Sequence, residues 1–176
     1  DILMGLENRV VYNLVNVVEE RCTLRQALVK DKKMPNLNLL PAAQTRDKTA
    51  VNAEQMKKLC EELKSMFDFV LVDSPAGIER GAMMAMRHAD AAIIITNPEV
   101  SSVRDSDRII GLLDAKTEKA AKGERVEKHL LITRYDQARA GRGEMLKTDD
   151  VLDILSVPLL GIIPESEQVL RASNLG

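Results

Sequence analysis

The chain has 176 residues, 45% of them hydrophobic, which is enough apolar material for one compact domain with a sizeable core. Lys+Arg number 25 against Asp+Glu 27, so no overall field favours nucleic acid or an anionic membrane, and any such contact has to be local. Cys22 and Cys60 form no Cys-x-x-Cys pair and have no His at zinc-like spacing, which fits reduced, buried thiols, and no apolar run approaches the ~20 residues of a membrane span.

In chain order, Asp1 to Gly5 reads like the middle of a segment, so the chain is expected to be a piece of a longer protein. Val10, Val11, Leu14, Val15 and Val18 repeat at helical spacing. A short apolar run, Leu37–Leu40, has the form of a strand. Met56, Leu59, Cys60, Leu63 and Met66 then make one apolar stripe on an otherwise charged helix. Next come Phe69–Val72, expected as a strand that ends in Asp73, and His88, expected at a helix end near Asp90.

Ala91–Thr96 predicts another strand, followed by a helix whose apolar positions are Val103, Ile109, Ile110, Leu112 and Leu113, with Ser102 and Asp105 in a capping arrangement. Lys116 to Lys128 has the composition of a solvated linker, and His129 after it is expected to be exposed. Leu130–Thr133 and Leu159–Ile163 are the last strands. Between them Thr148, followed by Asp149 and Asp150, reads as a helix N-cap with an acidic first turn. Several strand runs are apolar almost throughout, as expected of strands covered on both faces. The fold class is therefore α/β, a doubly wound, mostly parallel sheet with helices on both faces.

In such a sheet, ligands bind outside the carboxyl ends of the strands. Phe69-Val70-Leu71-Val72-Asp73-Ser74-Pro75-Ala76-Gly77 has the form of a Walker B strand, whose carboxylate holds Mg²⁺. Taken alone, the pattern also fits an ordinary strand end. Gly77 lets a backbone N–H approach a phosphate oxygen, or serves turn geometry only. Thr96-Asn97-Pro98-Glu99, Thr133-Arg134-Tyr135 and Pro164-Glu165 end the other strands. There an Arg and a Pro on neighbouring strands suit a purine; the alternative is that Arg134 pairs with a surface carboxylate. No Ser-His-Asp arrangement can be built from the two histidines, His88 and His129.

The strings from Asp73 to Glu79 and from Thr96 to Arg108 resemble the switch II and post-strand helix segments of the MinD-type ATPases, in the ParA/MinD deviant Walker family. Further strings that match run from Leu39 to Ala42, Gln44 to Lys48, Leu130 to Tyr135, Arg142 to Leu146 and Val169 to Asn174, so the resemblance covers essentially the whole chain. It implies an ATPase that uses ATP and Mg²⁺, forms a homodimer around two nucleotides, and lies in the cytoplasm and peripherally on the inner membrane through a C-terminal helix. It also implies recruitment of the division inhibitor MinC and stimulation by MinE.

On matched positions, Asp73 is implied as the catalytic Walker B carboxylate that binds Mg²⁺ through water, Gly77 as a phosphate contact, and Arg134, Pro164 and Glu165 as part of the adenine pocket. Glu7, Arg104, Asp105 and Asp107 are implied on the face that meets MinC and MinE. The family's P-loop and its lysines, expected before Asp1, and its membrane helix, expected after Gly176, do not occur in these residues. The chain is thus expected to be a single domain, 1–176, forming the C-terminal-side part of a MinD-like ATPase domain. Alone it is expected to be inactive, with the sheet short of a central strand. The competing reading is a nucleotide-free interaction module that keeps only partner-binding surfaces.

Overall fold

The computed structural model describes residues 5–42, 51–75, 77–78 and 80–175. It divides into two compact units, Asp1–Val70 with Gln168–Gly176, and Leu71–Glu167. The first contains a 3-10 turn at Glu7–Arg9, α1 (Leu14–Val18), α2 (Leu24–Ala27), β1 (Val29–Lys30), β2 (Asn38–Leu39) and α3 (Ala53–Met66). The second contains α4 (Arg80–Arg87), β3 (Ala91–Thr96), α5 (Val100–Lys116), α6 (Glu118–Ala121), β4 (Glu127–Tyr135), α7 (Gln137–Gly141), α8 (Thr148–Leu155) and β5 (Leu159–Pro164). The final helix, α9 (Glu167–Leu175), starts at the boundary and belongs otherwise to the first unit.

Capping determines where several of these helices begin. The Asn13 side chain accepts from the backbone N–H groups of Val15 and Asn16, so α1 starts at Leu14, and Val10 and Val11, expected to be helical, precede it outside any helix. Asn52 and Gln55 form a reciprocal capping box on α3, whose stripe buries Leu59 and Cys60. Thr148 is the first helical residue of α8 and not its cap; the Asp150 carboxylate instead accepts from the Lys147 N–H at 3.0 Å. Likewise Ser102 and Asp105 lie inside α5, which begins at Val100 after Glu99 with no side-chain cap. The expected linker 116–128 contains α6, because the Thr117 hydroxyl accepts from the Ala120 N–H and starts a further turn.

The sheet of the second unit has the order β3-β4-β5 and is parallel throughout. Ile94 pairs with Leu130 and Thr96 with Ile132, so these side chains share one face. Against that face α5 packs, with α8 packed in turn against α5, and one cluster buries Ile94, Val103, Leu113, Leu130, Ile132, Val151 and Leu155 with Val126 and Val157. Each such side chain contributes roughly 1.5–3 kcal/mol by leaving water. This agrees with the expected α/β parallel class.

Two expected strands differ from the sequence reading. Leu37–Leu40 is reduced to β2, which pairs antiparallel with β1, Val29 opposite Leu39, and does not join the parallel sheet. Phe69–Val72 is not a strand: it takes no ladder partner among the described residues, and Phe69 and Leu71 are 88% and 85% exposed. A strand exists only through hydrogen bonds to a neighbour, and apolar composition without a neighbour leaves extended chain. The boundary between the two units falls inside this run, after Val70.

Candidate functional site

The ends of β3, β4 and β5 bring several of the expected residues onto one rim. β4 stops being regular near its end: its register with β5 shifts between Ile132 and Tyr135, and Arg134 adopts φ 56°, left-handed backbone that residues other than glycine rarely take. From there the Arg134 Nε donates to the Glu165 carboxylate at 3.0 Å, and the Glu165 N–H donates to the Tyr135 carbonyl at 3.0 Å. Pro164, opposite Tyr135 in the register, is exposed beside them. Arg134, Pro164 and Glu165 thus sit together. Arg134 pairs with a carboxylate, as the alternative reading expected, and that carboxylate belongs to another candidate site residue, Glu165.

The next strand end is tied in through side chains. Thr133 Oγ1 donates to Asn97 Oδ1 at 2.9 Å and lies 3.4 Å from the Thr96 carbonyl. The turn after β3 is held from both sides: the Glu99 N–H donates to the Asn97 carbonyl, and the Leu146 N–H to the carbonyl of buried Pro98. Sequence reading placed Asn97 and Thr133 on the rim without pairing them. Two small polar residues at ends of adjacent parallel strands were the available signal.

Asp73 is exposed directly after the irregular Phe69–Val72 segment. Mg²⁺ takes one or two carboxylates and fills its remaining positions with water and substrate phosphate oxygens, so a single accessible Asp73 fits that demand. Gly77 has φ 90°, with nothing within 4 Å of the place a Cβ would take. Only glycine holds that conformation without strain. Pro75 Cγ comes within 3.3 Å of the place a Cβ would take at Gly81, in the first turn of α4.

The α5 candidates point to water: Arg104, Asp105 and Asp107 are exposed, as is Arg108, which lies 3.7 Å from the Asp105 carboxylate. Ser106 is buried with Val103 and Leu113 on the opposite side. Glu7 lies in the 3-10 turn of the other unit. The expected strings Gln44–Lys48 fall outside the described residues, as do Ala76 and Glu79. His129 lies within β4, half-buried and 2.9 Å from Glu127, not exposed ahead of a strand. His88 follows α4 as expected but is almost fully buried, with Nδ1 3.3 Å from Glu118. Its Nε2 has no hydrogen-bond partner among the described residues.

A parallel sheet that follows chain order, with its polar residues gathered at the carboxyl ends of the strands, defines an α/β domain of the open parallel type. A family model described as ATPase MipZ matches residues 4–152. The septum site-determining protein MinD of Neisseria meningitidis is 57% identical over 179 residues, covering 100% of this chain and 66% of that protein. The MinD of Escherichia coli K12 is also 57% identical, with the same coverage. Among solved structures, an Aquifex aeolicus MinC:MinD cell division protein complex aligns at TM-score 0.85 and 41% identity, covering 99% of this chain and 67% of that one. The chain belongs to the ParA/MinD family of ATPases, with its similarity in the MinD branch. It spans 66% of the length of the curated relatives it matches.

Proposed function

We propose that these residues form the C-terminal-side part of one MinD-like ATPase domain whose parent hydrolyses ATP and takes part in placing the division septum. In this reading the parent dimerises on ATP, attaches peripherally to the inner membrane through a C-terminal helix, and recruits MinC under MinE control. The observation that carries it is the 41% identity, over 99% of this chain, to the chain of a MinC:MinD complex. Full-length coverage at 57% identity by septum site-determining proteins supports the same role.

Each candidate residue has a part suited to its surroundings. Asp73 would hold Mg²⁺ through water, and the ion, when bound, neutralises charge on the phosphates. Gly77 has open space where a side chain would stand, so its backbone N–H would suit a phosphate oxygen. Arg134, tethered through its Nε to Glu165, would offer its guanidinium face to the adenine ring, with Pro164 as the second apolar surface. On α5 the exposed Arg104, Asp105 and Asp107 would meet the protein partners, where charged rim residues govern specificity and rate of association.

The test uses a protein of the relatives' full length carrying this sequence. Asp73→Ala should lower Mg²⁺-dependent ATP turnover at least tenfold while the far-ultraviolet spectrum stays that of the parent, since an exposed carboxylate carries little packing. ATP-dependent retention of MinC by the unaltered protein should accompany it. Turnover unchanged by Asp73→Ala would remove the Walker B assignment, and failure to retain MinC with ATP present would remove the partner assignment.

A further inference from the structure

The Asn97–Thr133 pair lies on the same rim as Arg134 and Glu165 but is not among the proposed nucleotide contacts. Thr133 Oγ1 donates to Asn97 Oδ1 at 2.9 Å, which commits the acceptor of the Asn97 amide. Its two Nδ2 hydrogens have no partner among the described residues. The backbone beneath them is fixed, with Glu99 donating to the Asn97 carbonyl and Leu146 to that of Pro98. An amide clamped at one end and held by its backbone is a preorganised donor, which loses little freedom when it binds.

The charge of the surroundings narrows the ligand group it suits. Arg134 is the cation on this stretch of rim, and the Glu165 carboxylate 3.0 Å away offsets it. A polyphosphate gains little from that pair and is repelled by Glu165, whereas an uncharged ring with acceptor nitrogens meets no penalty. We propose that Asn97 Nδ2 donates a hydrogen bond to the base of the bound nucleotide, and that Thr133 acts as the positioning residue that turns the Asn97 amide to present its donors. The inference rests on the ATP reading and adds to it a base contact from β3 and a holder from β4.

The experiment measures equilibrium binding of Mg²⁺-ATP and of Mg²⁺-tripolyphosphate, which has the charge but no base, to a protein of the relatives' full length carrying this sequence. One uncharged hydrogen bond to ligand corresponds to a loss of about three- to tenfold. Asn97→Ala and Thr133→Val should each weaken ATP binding by about that factor and leave tripolyphosphate binding unchanged. The double variant should lose no more than either single one, because both changes break one unit. Thr133→Ser, which restores the hydroxyl, should recover the affinity. Asn97→Asp keeps the acceptor for Thr133 but lacks the donors, and it should match Asn97→Ala. Equal losses for ATP and tripolyphosphate, or ATP affinities like the parent's in all variants, overturn the inference alone. A parent that binds no ATP overturns both the ATP reading and this inference.

Discussion

Gly77 and Glu144 show two kinds of local constraint whose consequences can be measured. At φ 90° with open space around it, Gly77 is held by backbone geometry and not by crowding, so Gly77→Ala meets strain and no clash. Urea unfolding of a protein of the relatives' full length should show a loss of about 1 kcal/mol. Glu144 accepts from the Arg142 Nε and Nη2, and the hydrogen bond from Arg142 is the chief cause that holds its carboxyl below the usual glutamate range. A depressed folded value means that the stabilisation is complete above the ordinary glutamate pKa and is lost as pH falls through the folded one. A carboxyl-detected NMR titration should place the Glu144 midpoint below that of a free glutamate, and Arg142→Ala should raise it toward the ordinary value. At this scale the sequence disclosed which residues stand at strand ends, and so the meeting of Arg134, Pro164 and Glu165. It could not disclose the left-handed Arg134 or the Thr133–Asn97 bond, because both depend on a register shift in β4 and on side-chain directions that no spacing encodes.

Among the elements, α5 was legible because its apolar and charged positions separate cleanly by helical period. Val103 and Leu113 are buried, while Arg104, Asp105, Asp107 and Arg108 face water. Its two faces should therefore respond differently to substitution. Leu113→Ala, at 1% exposure, should cost roughly 2–5 kcal/mol through the cavity it leaves. Arg104→Ala and Asp107→Ala should change stability by less than about 0.5 kcal/mol and yet reduce MinE-stimulated hydrolysis or MinC recruitment more than basal ATP binding. Thermal melts of all three variants, with pull-down and turnover assays of the last two, check this. If both surface variants recruit MinC and respond to MinE like the parent, α5 is only scaffold. Phe69–Val72 departs from its expected strand for the complementary reason. Four apolar residues describe what a strand would bury, but a strand also needs a neighbour's backbone, and composition does not report whether one is there.

For the molecule as a whole, the separation between a well-packed centre and uncovered apolar chain governs how the 176 residues should behave by themselves. No Gly-x-x-x-x-Gly-Lys string occurs in them, so the charge stabilisation that phosphoryl transfer needs has no evident source, and no Mg²⁺-ATPase activity is expected from the isolated chain. Its association state should be equally distinctive. In β3, Ile94 and Thr96 are buried against the helices while Ile93 and Ile95, on the other face, are 50% and 62% exposed. With Phe69 and Leu71 also in water, two apolar segments of high β-propensity are uncovered, and one of them lacks any ladder partner among the described residues. Burying one such side chain contributes about 1.5–3 kcal/mol, so covering several at once favours contact between copies at micromolar concentration. Sedimentation velocity of the isolated chain should show mass rising with concentration. The combined Phe69→Asp and Leu71→Lys variant, which alters no residue of the buried core, should shift that distribution toward the monomer. A parent chain that stays monomeric across a hundredfold range of concentration would show that these segments are covered in solution.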